Sequence, residues 1–282
     1  MIYLWLRVAK DAPEYAVRGH AFAKGIVITQ LVWVVLGVLD LPMVPALIGS
    51  LFGLALEFYG VVWVQRRAGN TTPWHPHHIS ERYSLLVIIA LGEVILGTTT
   101  AVGAMVERQG WTVDAGVVAV AGISLAVGIW WCYFAIPWGD LLAAYRAKGM
   151  GFGYGHMPLY VVLAAIGAGL HVVAYYVEGE ATIGAVGAMI TLAIPVGLAV
   201  LGIFTFANYL LPGGNSFHTR LMSMVGAALV AAVALAALGV PIAWCLGVVM
   251  LSPWMAVTAY EVKGHRYLAL LLEKYGVTST HA

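Results

Sequence analysis

The chain has 282 residues, of which 62% are hydrophobic and only 10% charged, with a formal net charge of +1 and a mean hydropathy of +0.91. An average soluble domain carries about 25% charged residues, so a single soluble core of this size would lack the surface it needs. The near-neutral balance also excludes a nucleic-acid binder, which shows a concentrated basic patch.

The first nine residues, MIYLWLRVA, are too short to span a bilayer. They read as the last turns of a helix or a short interfacial segment, without the small-residue cleavage site of a signal peptide. Residues 10–20 are polar and read as a loop. Eight spanning runs follow, at about 21–39, 44–64, 79–105, 114–136, 157–178, 183–206, 219–239 and 242–260. Turn punctuation separates several of them: Asp40-Leu41-Pro42, Asn70-Thr71-Thr72-Pro73, Glu178-Gly179-Glu180, Pro212-Gly213-Gly214-Asn215 and Gly239-Val240-Pro241. The tail from Glu261 is amphipathic, with Tyr267, Leu268, Leu270, Leu271 and Leu272 beside Lys263, Arg266 and Lys274, and suits the inner membrane surface. The pattern predicts an all-α, polytopic transmembrane helix bundle: one membrane domain over 1–282, with a partial helix and cytoplasmic loop at 1–20, eight transmembrane helices over 21–260 and a cytoplasmic tail at 261–282.

The basic residues orient the bundle. One set of alternate loops holds Arg7, Lys10, Arg18, Lys24, Arg66, Arg67, Arg82, Arg146, Lys148, Arg220, Lys263, Arg266 and Lys274, thirteen of the 14 Lys and Arg residues; the other set holds only Arg108. Positive loops stay inside, so both termini and the His75–Arg82 cluster are expected on the cytoplasmic side of the membrane. Small residues at Gly53, Gly60, Gly92, Gly97, Ala164, Ala168, Gly184, Gly187 and Ala188 are expected at helix contacts. Pro195 should kink the sixth span or open its backbone, and aromatics such as Trp130, Trp131, Tyr133, Phe134, Tyr175 and Tyr176 suit the interface. Cys132 and Cys245 lie near opposite membrane faces, so no disulfide is expected.

The chemistry-bearing stretch is His75–Glu93, HPHHISERYSLLVIIALGE. At ~1.5 Å per residue the third span is about 40 Å long, more than the ~30 Å apolar core. Its first turns can therefore sit at headgroup level, with Glu93 about 18 Å further along than Glu81. Arg82 and Glu93 are eleven residues apart and share a helix face with Ile89 and Thr100, a candidate polar stripe. Glu81 points elsewhere, toward His77 or His78. A carboxylate at mid-membrane costs about 2.5–3.5 kcal/mol unless partnered, protonated or hydrated. Two further ionisable residues lie inside spans: Glu57 in the second and His171 in the fifth, the latter at a depth where it could meet Glu93. The plainer alternative gives Glu93, His171 and Glu57 packing roles, and Gln30 and Asn208 interhelical hydrogen bonds.

His75, His77, His78 and Glu81 are types that bind divalent metals. Their plainer reading is a helix start, with Ser80 or a neighbour capping and Glu81 in the first turn. Asp140, Arg146, Lys148 and His156 fall in the facing inner loop, where they could pair with Glu81 or Arg82. No HExxH, G-x-S-x-G, Walker or C-x-x-C signature is present, so neither an enzyme nor a bound cofactor is expected, and no feature fixes an oligomeric state.

The run His78-Ile79-Ser80-Glu81-Arg82-Tyr83, continuing through Leu85 to Leu91-Gly92-Glu93, resembles the low temperature requirement protein A (LtrA) family of bacterial membrane proteins. Trp130-Trp131-Cys132-Tyr133-Phe134, Tyr154-Gly155-His156-Met157-Pro158-Leu159 and Gly167-Ala168-Gly169-Leu170 are similar to the family in the same order. Members of the family usually begin with further membrane segments carrying an acidic E-L-F-F-D-L motif; its absence here implies a shortened member. The family's name refers to growth in the cold, and the resemblance brings no defined activity with it. The expected function is passage of a proton, ion or small solute through a polar path within the bilayer. Glu93 would be central, His171 and Glu57 relay members, Thr100 part of the stripe, and Arg82, Glu81, His78 and His156 the cytoplasmic mouth. The alternatives are a non-transporting factor for cold tolerance and a metal-dependent membrane enzyme using His77, His78 and Glu81.

Overall fold

The computed structural model describes residues 1–39, 41–67, 74–211, 216–274 and 276, with the side chains of Arg67 and Leu271 left out. The turn signals at Asp40, Asn70–Pro73 and Pro212–Asn215 thus lie outside the described residues. Among the described residues there is helix and no strand. Eight helical segments are long and apolar enough to cross a membrane. The chain forms two compact units, Met1–Trp74 and His75–Ala282.

The first unit holds α1 (Ile2–Asp11), α2 (Ala16–Val38) and α3 (Met43–Arg67). Residues 10–20, expected as a loop, are largely helical: only Ala12 interrupts, followed by a tight 3₁₀ turn at Pro13–Tyr15. Gly19 explains why α2 can fold back on α1. A Cβ there would lie 2.6 Å from the Trp5 carbonyl oxygen and 2.8 Å from Ala9 Cβ. Trp5 then stacks on Phe22 with ring centroids 4.4 Å apart. Further along, Gly53 lets α3 approach the Trp33 ring of α2. Most large apolar side chains of α2 and α3, including Leu31, Val35, Leu47 and Phe52, are exposed, as suits lipid contact.

The second unit is a closed ring of six long helices. α4 (Pro76–Gln109) packs on α5 (Val113–Phe134) and α7 (Gly149–Val177). α7 packs on α8 (Ala185–Leu210), α8 on α9 (Ser216–Ala237), α9 on α10 (Ile242–Ala259), and α10 returns to α5. The short α6 (Trp138–Ala144) packs against α4. Lipid tails are as apolar as leucine, so close packing holds such helices together rather than water exclusion. The α4–α7 crossing shows this: a Cβ on Gly97 would lie 2.8 Å from the Gly167 carbonyl oxygen. Gly60, Gly92 and Gly184, also expected at contacts, have nothing within 4 Å of where a Cβ would stand.

The start of one helix differs clearly from expectation. α7 starts at Gly149 rather than near 157, because the glycine-rich stretch before His156 is helix. Helix α8 continues through Pro195. The tail is helical and partly buried. After α10 a π-helical turn at Tyr260–Gly264 leads into α11 (His265–Lys274), whose Leu268 and Leu272 are buried and whose Leu270 is exposed. Cys132 and Cys245 are buried free thiols, near the carbonyls of Pro253 and Val240.

Candidate functional site

The starts of α4 and α7, the ends of α5 and α8, α6 and α11 meet at one end of the second unit. His75, rather than Ser80, caps α4: its Nδ1 accepts from the His78 N–H at 3.4 Å, and Pro76 occupies the first turn, where no donor is needed. Ser80 instead donates to the His77 carbonyl at 2.9 Å. The opening turns of α7 carry glycines at 149, 151, 153 and 155. Side chains there would run into Tyr209 at Gly151, Tyr83 at Gly153 and Phe206 at Gly155. The glycine run is therefore a bed on which aromatic rings of α4 and α8 lie.

His156 sits at the end of that bed, fully buried. Its Nδ1 lies 2.8 Å from the Phe152 carbonyl and its Nε2 2.7 Å from the Tyr133 hydroxyl. A carbonyl only accepts, so Nδ1 carries the hydrogen and Nε2 accepts from Tyr133. Ser84 Oγ stands 3.4 Å from the same hydroxyl, and 2.8 Å from the Ser80 carbonyl to which it donates. A proton taken up at Nε2 would turn Tyr133 into an acceptor there and swing its hydrogen toward Ser84. Trp138 fixes the end of α5 by donating to the Tyr133 carbonyl at 2.9 Å. Rings of Phe152, Phe206 and Tyr83 enclose the imidazole at 4.5, 4.9 and 5.0 Å between centroids.

Beside this chain lies a cavity of about 1180 Å³, with Ser84, Ser80, His77, Glu81, Trp138 and Asp140 in its wall and His265, Leu268, Leu272 and Glu273 of α11 across it. His77 Nε2 and Asp140 Oδ1 are 3.7 Å apart, the imidazole side chain 40% exposed and the carboxylate 2%. Asp140 lies in the first turn of α6, where the helix dipole favours negative charge. Ser84 is common to cavity wall and buried chain, so the two form one polar site.

Of the residues expected in the mouth, Glu81 lines the cavity and His156 lies behind it, while His78 and Arg82 are exposed outside its lining. The expected polar stripe faces outward. The buried face of α4 runs through Ser80, Val87, Leu91, Val94 and Thr98; Glu93 lies off that face, with its backbone carbonyl against Gly167 of α7. It is exposed, as are Ile89 and Thr100; Thr100 bonds only the Leu96 carbonyl. Glu93 and His171 are not joined, and His171 Nε2 is buried without a hydrogen-bond partner. In the first unit Glu57 accepts from Trp33 Nε1 at 3.0 Å, tying α3 to α2. Gln30 is exposed, and Asn208 Oδ1 meets His218 Nδ1 of α9 at 2.7 Å. Among the described residues no three His, Cys, Asp or Glu side chains gather as a metal-ligand set, so His77, His78 and Glu81 do not form one.

Tyr133, Ser84 and Trp138 were not expected in a site. Tyr133 sits in the aromatic run 130–134, which reads as an interface belt, and nothing local distinguishes it from Phe134. The family model for the bacterial low temperature requirement A protein (LtrA) matches residues 1–253. Searches of curated proteins and of solved structures found no match.

Proposed function

The chain belongs to the LtrA family of bacterial multi-pass membrane proteins, and from that premise we propose that its second unit translocates a proton, alone or together with a small solute received in the cavity. The observation that carries this reading is the Ser84–Tyr133–His156 chain, which begins in the cavity wall and ends at a fully buried imidazole. Hydroxyl and imidazole groups within hydrogen-bond reach can exchange protons without moving the backbone. The same geometry argues against a permanently open pore. Val87, Val94, Leu125, Leu163 and Ile166 are fully buried in the middle of the unit, so passage requires the helices to rearrange around an apolar seal.

The cavity end is the cytoplasmic end in this reading, because of the eight Lys and Arg residues from His75 onward only Arg108 lies in a loop of the other set. The alternate-loop pattern of the whole sequence then puts both termini on the cytoplasmic side of the bacterial inner membrane. Glu93, on the outward face of α4, becomes secondary to the Tyr133–His156 pair.

The test is proton flux. Purified protein in liposomes with an internal pH indicator is given a potassium diffusion potential, alone and with the small-molecule fraction of a bacterial lysate. The expected result is a flux that Tyr133→Phe reduces about tenfold or more, whereas Glu93→Gln reduces it less. A folded wild-type protein that passes no protons under either condition would overturn the proposal.

A further inference from the structure

We propose that the solute taken up by the cavity is a small organic cation, an amine or quaternary ammonium with an apolar body; this rests on reading the cavity as the receiving chamber of a transporter. Three carboxylates, Glu81, Asp140 and Glu273, stand in its wall, and none of the described residues lining it is Lys or Arg. The two lining imidazoles are both directed at carboxylates, His77 at Asp140 and His265 at Glu261, at 3.7 and 3.2 Å. An anion would find no Lys or Arg there, and imidazoles already engaged by carboxylates. The indole N–H of Trp138 is already committed to the Tyr133 carbonyl.

Apart from Ser80 and Ser84, the remainder of the wall is apolar or aromatic, with Phe134, Trp138, Leu268 and Leu272 among the lining residues. The open ring of Phe134, 37% exposed, and the carboxylates of Glu81 and Glu273 together suit a cation whose charge is carried on an organic body. A bare metal ion is the poorer fit, since no three ligand side chains converge among the described residues. The volume of about 1180 Å³ lies somewhat above the roughly 300–1,000 Å³ usual for drug-sized ligands, so a small organic ion fits with room to spare. The basic residues Lys263, just before α11, and Arg266 and Lys274, within it, do not line the cavity. The chamber is therefore an acidic interior within a basic surround, and its selectivity comes from its own walls.

Equilibrium binding tests this on the full chain in lipid nanodiscs by calorimetry. The probes are benzyltrimethylammonium, with benzyl alcohol and benzenesulfonate as neutral and anionic counterparts of similar size. The cation alone should bind, and Glu81→Gln and Glu273→Gln, both at partly open positions, should each weaken it several-fold. Equal binding of all three probes, no binding of the cation, or binding unchanged in both variants would overturn the assignment. The liposome flux assay separates the two ideas. Proton flux without cation binding removes the solute class and leaves the transporter. Cation binding in a protein that carries no flux keeps the chamber's selectivity and removes the transport.

Discussion

The hydroxyl of Tyr133, on the last turns of α5, stands 2.7 Å from Nε2 of His156 on α7, although 23 residues separate them in the chain. This single bond closes the buried end of the polar site. Tyr133→Phe keeps the ring and removes the only donor to a buried nitrogen. Leaving such an acceptor unpaired costs about 1–3 kcal/mol. The double variant Tyr133→Phe/His156→Phe should cost less than the sum of the singles, which chemical unfolding in mixed micelles would measure.

Glu93→Gln should leave stability within about 0.5 kcal/mol of wild type, because its carboxylate has no described partner on the outward face of α4. Glu57→Leu should differ. It removes the acceptor of the Trp33 N–H, and hydrogen bonds between membrane helices average about 0.6 kcal/mol. Thermal unfolding of the two variants side by side checks the contrast.

Gly97→Val should destabilise by about 1–3 kcal/mol, the usual range for overpacking, since it would force α4 away from the Gly167 backbone. Gly92→Ala on the same helix meets nothing within 4 Å and should be tolerated. A shift of the unfolding midpoint in the first variant alone is the expected outcome.

Arg18 is 2% exposed, and none of its guanidinium nitrogens has a hydrogen-bond partner among the described residues. A buried charge without a partner carries a desolvation penalty of roughly several kcal/mol with nothing to offset it, so an apolar side chain of similar length removes a cost. Arg18→Met should therefore raise or preserve the unfolding midpoint, while the exposed pair Arg7–Asp11 can be broken with little change. A marked loss in Arg18→Met would reveal an acceptor supplied in the membrane.

Helix α11 covers one side of the cavity through Leu268 and Leu272. Ser84→Cys should react slowly with a hydrophilic maleimide in the full chain and faster when residues 265–282 are removed. Mass shifts over time read this out; equal rates would show that α11 does not restrict access.

The spans were legible because apolar runs and basic loops are properties of the chain alone. Residues 10–20 were misread because their helicity depends on a contact, α2 docking on α1 at Gly19, and polarity by itself favours a loop. His156 was legible as a mouth residue, yet its partners were not. Ser84 and Tyr133 are 49 residues apart, and which aromatic of the 130–134 run turns inward is decided by α7 and α6. Periodicity groups Glu93 with Arg82 and Thr100, but cannot say that this group is left exposed while the Glu93 backbone itself lies against Gly167 of α7.

The glycines that open α7 also say something about the order in which the protein is made. Four of the seven residues from 149 to 155 are glycine, and each lowers helix stability by about 1 kcal/mol relative to alanine. Left alone, this segment would fray. Two of the three rings that rest on it, Phe206 and Tyr209, belong to a helix synthesised some fifty residues later. The first turns of α7, and with them the fixed position of His156, are thus completed only after α8 has entered the membrane, so the buried end of the site is among the later parts of the unit to become ordered during biosynthesis.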